Sequence, residues 1–179
     1  MLKQTTTGLI VVDVQGKLAR IVDNSATVIA NIQKLILGCQ ALGLPILWLE
    51  QNPDKLGSTI EEISSLLEPQ PCISKYTFDA CKENAFTAAV QTEAVDTWLV
   101  CGIEAHICVY QTVLGLQSFG QQVQLVTDCI AARTSANKDL AVAKLSAHGV
   151  PMTGLEMCLY ELVEDCRAAE FKAILKLIK

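Results

Sequence analysis

The chain has 179 residues, 51% of them apolar and 18% charged, and a net charge of −5. These figures predict a single packed domain, 1–179, and exclude a disordered chain. No basic cluster of five or more residues occurs, and the longest apolar runs, GLIVV and LPILWL, are too short to span a bilayer. Nucleic acid and membrane are therefore not expected partners.

Residues 1–8 carry neither an apolar signal core nor an arginine-rich presequence, so the expected compartment is cytoplasmic. The first predicted strand, Gly8–Val14, runs into Asp13 in LIVVDVQ. A helix follows, with Val28, Ile29, Ile32, Leu35, Ile36 and Cys39 at i, i+3, i+4, i+7 spacing. Asn24 or Ser25 can cap it and Gly43 can end it before Pro45. Leu44–Glu50 is the second strand. Pro53–Ser74 reads as a long irregular loop with three prolines and a short helix, Thr59–Leu67.

Lys75 leaves that loop in CISKYTFDAC. The third strand, Thr97–Gly102, ends in a glycine turn. Cys108–Phe119 is the next helix, with Val109, Thr112, Val113 and Leu116 on one side and Gly120 as its stop. Val123–Asp128 is a strand, followed by a helix over Asp139–His148 with Leu140, Ala143, Lys144 and Ala147 as its stripe. A weaker strand lies at Val150–Thr153, and Glu164–Lys179 is a terminal helix. Strand–helix alternation at this spacing predicts an α/β fold with three Rossmann-like layers: a central, mostly parallel sheet with helices on both faces.

Eight cysteines sit at 39, 72, 81, 101, 108, 129, 158 and 166, none in CxxC spacing. The default reading of each is a small core hydrophobe. Cys108 differs by position. It follows a glycine turn and opens a helix, where free backbone N–H groups and the helix dipole favour thiolate. An aspartate could instead take the thiol proton, provided a lysine and a dry site balance the charges.

Sites in parallel sheets lie beyond the carboxyl ends of the strands. Asp13, Glu50, Gln51, Glu104 and Asp128 fall there. Each has a plainer reading: Asp13 as the cap of a turn, Asp128 as the brace of a loop, and Lys75 as a solvated surface lysine. His148 ends a helix beside Gly149, while His106 lies between the glycine turn and Cys108. Two isolated histidines without HxH or HExxH spacing give no metal site.

The segments VVDVQ, SKYTFDA, CGIEAHICVYQT and LVTDCIAARTS, taken in this order, resemble the isochorismatase-like cysteine hydrolases. The resemblance runs from about Gly8 to Leu162. The EQNPDKLGST loop, the CGIEAHIC turn and the closing FKAILKLIK are most similar to the isochorismatase domain-containing branch. The resemblance implies a catalytic triad of Asp13, Lys75 and Cys108, with Cys108 as nucleophile. It also implies a cis peptide between Ile103 and Glu104, and an oxyanion hole from the N–H groups of Glu104 and Cys108. Nicotinamidases of this superfamily hold a metal through an Asp-x-His after the second strand. WLEQNPDKLGST has no histidine, so neither metal nor cofactor is expected.

The expected activity is metal-independent hydrolysis of a C–N (amide-like) or ester bond in a small molecule. A vinyl-ether hydrolase and a non-catalytic binding protein are the alternatives. By position, Gln51, Tyr76, Phe78 and His106 are candidate substrate contacts. The family and the apolar composition predict a homo-oligomer, a dimer or higher.

Overall fold

The computed structural model describes Met1–Lys179. Six strands form one sheet: β1 Thr7–Val12, β2 Ile46–Gln51, β3 Ile73–Lys75, β4 Thr97–Ile103, β5 Gln122–Ala131 and β6 Met152–Thr153. Their order is β3-β2-β1-β4-β5-β6, and every neighbouring pair is parallel. The helices are α1 Leu18–Ile21, α2 Ser25–Ala41, α3 Pro53–Leu56, α4 Glu61–Leu67, α5 Asn84–Thr92, α6 Tyr110–Ser118, α7 Ser135–Ala147, α8 Leu155–Val163 and α9 Phe171–Ile178.

The two-residue period of the strands splits the core between two faces. Leu9 and Val11 of β1, with Leu99, Cys101 and Ile103 of β4, pack towards α2, α4, α8 and α9. Ile10, Val12, Trp98 and Val100 face the other way, towards Phe86 and Val90 of α5, Val113 and Leu116 of α6, and Leu145 of α7. This is the three-layer arrangement expected from the apolar runs. From β1 the chain winds outward through β2 and β3, then returns to β4 and winds the other way. The β1/β4 boundary is therefore the topological switch point, where a crevice opens at the carboxyl ends.

Some elements depart from the sequence reading. The three-residue β3 and helices α5 and α8 were not expected. Helix α5 buries only Phe86 and Val90, too little for a visible stripe. The terminal helix is α9 alone, because Glu164 takes a positive φ of 58° directly after α8 and breaks the run. The buried face of α7 is Ala141 and Leu145, and Leu140 of the expected stripe is exposed. Helix α7 begins at Ser135 rather than Asp139, and Thr134 caps it by accepting from the Asn137 N–H at 3.3 Å. Strand β5 runs past Asp128 to Ala131. Asp128 Oδ1 instead accepts from Leu155 N–H (2.8 Å) at the start of α8, a bracing role.

Two registers position the site. Val12 pairs with Gly102, and Gln51 with Lys75. Gly102 has φ 118°, and a Cβ there would drive into the Val12 carbonyl oxygen. Glycine is thus required at the one point where β4 presses on the end of β1.

Candidate active site

Asp13 leaves β1 in the left-handed region, φ 51°, which aspartate tolerates better than most residues. Its N–H still donates to Leu49 O (3.1 Å), while its own carbonyl accepts from Gln15 N–H (2.8 Å). The turn ends the strand and leaves the carboxylate buried, 2% exposed, at the switch point.

Lys75 reaches this carboxylate from β3, two strands away. Neighbouring strands lie about 4.8 Å apart, so the gap is roughly 9–10 Å and needs a long side chain. Lys75 Nζ donates to Asp13 Oδ2 (2.7 Å), to Gln51 Oε1 (2.7 Å) and to Thr77 O (3.4 Å). An ammonium has three protons, and these partners take all of them. The side chain is fully buried.

Cys108 lies in a turn of π-helix, Ala105–Val109, that leads directly into α6. It is thus within the first turn of the helical run rather than its opening residue. The thiol is buried, and Sγ stands 3.9 Å from Gln51 Oε1. The Ile103–Glu104 peptide just before this turn is cis. The three residues of the expected triad are therefore brought together, with Gln51 between them.

The electrostatics separate the two options left open by the sequence. Burial pushes the Cys108 thiol up to about 12. The Asp13 carboxylate adds to the shift, while Lys75 opposes it without overcoming it. Burial also raises Asp13 above its ordinary 3.8, against the pull of Lys75. Desolvation outweighs the lysine, which disfavours a resting thiolate and favours the base-assisted option.

A cavity of about 100 Å³ opens in front of the sulfur. Asp13, Gln51, Glu104 and Cys108 form its polar wall, and Leu18, Leu56, Phe78, Ile103 and Ile107 its apolar wall. Of the four residues proposed from position as substrate contacts, Gln51 and Phe78 line it. Tyr76 is largely exposed and contributes only its backbone oxygen, which accepts from Gln51 Nε2 (2.8 Å). His106 packs beside Glu104, with Nδ1 3.6 Å from Oε2, and is not part of the wall.

Two neighbours of the site were not anticipated. Gln15 is fully buried. Its Oε1 accepts from Gln51 N–H (2.6 Å) and its Nε2 donates to Gly57 O (2.6 Å), which ties the loop carrying Leu56 to the end of β2. Arg133 Nε meets the buried Glu104 carboxylate at 2.8 Å. Neither residue has a sequence signal beyond lying near Asp13 or after a strand.

A doubly wound parallel sheet with a small, partly apolar cavity at its switch point defines the class: an α/β enzyme acting on a small molecule. Comparison with known proteins makes the family specific. The isochorismatase domain model matches residues 7–157. The chain belongs to the isochorismatase family and is an isochorismatase-like hydrolase. The "Secreted isochorismatase effector Isc1" of Phytophthora sojae is 33% identical over 177 residues, covering 96% of this chain and 83% of the relative.

Among solved structures, the MAR1 ribonuclease from Caenorhabditis elegans is 29% identical with a TM-score of 0.93, over 99% of this chain and 91% of that one. The YcaC gene product from Escherichia coli, described as an octameric hydrolase of unknown specificity, shares the fold. Its TM-score is 0.92 at 19% identity, over 98% of this chain and 89% of that one. No helix is long and apolar enough to cross a membrane.

Proposed function

We propose that the protein hydrolyses a C–N (amide-like) or ester bond of a small molecule by covalent catalysis at Cys108, without a metal. The observation that carries this reading is a buried thiol and carboxylate at one cavity wall, with a buried ammonium bonded to that carboxylate from outside the wall. Asp13 takes the thiol proton as sulfur attacks the carbonyl carbon. Lys75 stabilises the ionised carboxylate and the charge passing through sulfur. The N–H groups of Glu104 and Cys108 hold the oxyanion. As the tetrahedral intermediate collapses, Asp13 returns the proton to the leaving nitrogen or oxygen. Water then attacks the thioester, giving a proton to Asp13, and the freed sulfur recovers it.

The test is rapid acid quench with an activated amide or ester, followed by mass spectrometry. The acyl group is expected on the Cys108 peptide, and Asp13→Asn is expected to slow its formation by about 10²–10⁴-fold, the usual contribution of a positioned base. Because Asp13 must be ionised and burial raises its pKa, acylation falls off on the acid side at a pH above the ordinary 3.8. Turnover with no acyl-cysteine, or an Asp13→Asn variant acylating at the wild-type rate, would refute the mechanism.

Ribonuclease is the activity named for the C. elegans neighbour; the net charge of −5 and the cavity of about 100 Å³ favour the small-molecule reading for this chain. We propose self-association, in keeping with the octamer named for the E. coli protein and with the exposed Ile21, Leu140 and Met157. We also propose a cytoplasmic location, since eight free cysteines suit a reducing compartment. Sedimentation that finds only monomer, and cell fractionation that finds the protein outside the cytosol, would remove these two proposals respectively.

A further inference from the structure

Gln51 is buried at the end of β2, and both ends of its carboxamide are held. Nε2 donates to Tyr76 O (2.8 Å), and Oε1 accepts from Lys75 Nζ (2.7 Å). The reverse orientation would set an NH₂ group against an ammonium and an oxygen against a carbonyl. The backbone is held as firmly. Gln15 Oε1 accepts from the Gln51 N–H (2.6 Å), and Gln15 Nε2 donates to the Gln51 carbonyl (3.1 Å). Alternation along β2 sends the neighbouring acid elsewhere: Glu50 Oε1 accepts from the Thr59 N–H (2.6 Å). The strand thus turns a neutral acceptor, not a charged one, towards Lys75 and Cys108.

The same Gln51 Oε1 stands 3.9 Å from Cys108 Sγ, so the ammonium and the sulfur share one neighbour. Lys75 is close enough to Cys108 to favour its anion. Its short bonds nevertheless go to oxygen, on Asp13 and Gln51, and its third proton turns to Thr77 O at 3.4 Å. No lysine proton is left over for the sulfur. Other charged groups do not replace it. Asp13 faces the sulfur from the end of β1, Glu104 lines the same cavity from the adjoining turn, and Glu50 acts on Asp13 from β2. Arg133 and His106 lie beside Glu104 and outside the wall. Lys75 alone among the groups facing the sulfur favours thiolate, and Gln51 is bonded to it.

We infer that Gln51 is a positioning residue: its Oε1 holds one ammonium proton of Lys75 away from Cys108, and so limits how much thiolate stands in the cavity before a substrate arrives. The inference rests on the covalent reading for its bearing on turnover, but the hold on Lys75 is measurable without turnover.

Two variants of the full chain act in opposite directions. Gln51→Met keeps the length of the side chain and removes the acceptor. A Lys75 proton then turns to the sulfur, and the thiolate gains a charge-assisted bond. Gln51→Glu keeps the shape and the acceptor but adds a negative charge beside the sulfur, which disfavours thiolate. Both variants lose the bond from Nε2 to Tyr76 O, so that loss cancels between them. A merely structural role would move both the same way.

The measurement is alkylation by iodoacetamide over a pH series, scored peptide by peptide, with the exposed Cys166 as internal reference. Below the midpoint the rate follows the thiolate fraction. At neutral pH, Cys108 is expected to react at least about tenfold faster in Gln51→Met than in wild type and at least about tenfold slower in Gln51→Glu, one pKa unit each way. In the wild-type chain its midpoint is expected above the ordinary 9.0 of a cysteine. Rates that shift the same way in both variants, or in neither, would overturn the inference. So would a wild-type midpoint below 9.0, a result that needs no variant to fold. Unshifted rates with Cys108 still acylated by substrate would remove the role of Gln51 and leave the covalent mechanism. Opposite shifts with turnover that survives Cys108→Ala would remove the mechanism and leave the hold on Lys75.

Discussion

Cys108→Ala is expected to lower kcat for amide or ester hydrolysis by about 10⁴-fold or more, the scale on which removal of a catalytic nucleophile acts. The thiol is the one group at the cavity wall that can form an acyl bond and release it again to water. Asp13, Gln51 and the apolar wall stay in place, so KM changes little and the loss falls on kcat. The fold tolerates the change. One sulfur leaves a site that already borders a cavity, and no other side chain depends on it for a short hydrogen bond. Cys108→Ser is expected to be nearly as inactive, since Asp13 must then deprotonate a hydroxyl far less acidic than a thiol. Steady-state kinetics and thermal melts on the three proteins check this. Activity that survives Cys108→Ala but disappears in Asp13→Asn would mean that the carboxylate activates water directly, as an ether hydrolase would require.

Lys75→Met carries the largest expected effect on stability. The variant keeps most of the stem but removes the only cation bonded to Asp13, leaving a carboxylate 2% exposed with no countercharge. Breaking a buried pair from one side costs about 3–5 kcal/mol, a large share of the 5–15 kcal/mol that holds a typical domain together. Asp13 can escape the penalty by taking a proton. Without Lys75 its pKa rises further above that of the unfolded chain, so the folded form binds the extra proton more readily. The loss is therefore greater at pH 8 than at pH 5, because stability falls with rising pH wherever the folded state binds more protons. Urea denaturation at the two pH values measures this. The double variant Asp13→Asn/Lys75→Met is expected to be more stable than Lys75→Met alone, since no buried charge remains. A single variant within about 1 kcal/mol of wild type and flat with pH would show that the pair is not coupled in this way.

Parts of this site are legible residue by residue. Asp13 stands out because an apolar run ends on an acid, and Cys108 because a glycine turn precedes it and a helical stripe follows. The stripe of α2 reads correctly, as do Val109, Thr112, Val113 and Leu116 around α6, because each is dense enough to impose a 3.6-residue period. The reading fails where the burial signal is thin. Helix α5 buries two side chains, α7 buries two small or separated ones, and β3 is three residues long. Lys75 on its own resembles a surface lysine. Only the register that sets it opposite Gln51 turns it inward.

What the sequence determines by itself is what periodicity and local chemistry can encode: alternating strands and helices, a parallel sheet buried on both faces, and the candidate nucleophile at the start of a helix. The tertiary structure decides what those residues become together. Asp13 and Lys75 are 62 positions apart and meet only because the strand order places β2 between them, with Gln51 bridging the gap. The electrostatic environment of Cys108 is likewise a property of the whole fold. Helix position and a nearby lysine argue for thiolate, but the depth of burial, which no local pattern carries, pushes the thiol's pKa up. The pairing of Glu104 with Arg133 follows from the same long-range packing. Local sequence specifies the groups; desolvation and strand order, which depend on residues far apart in the chain, specify their charges and their partners.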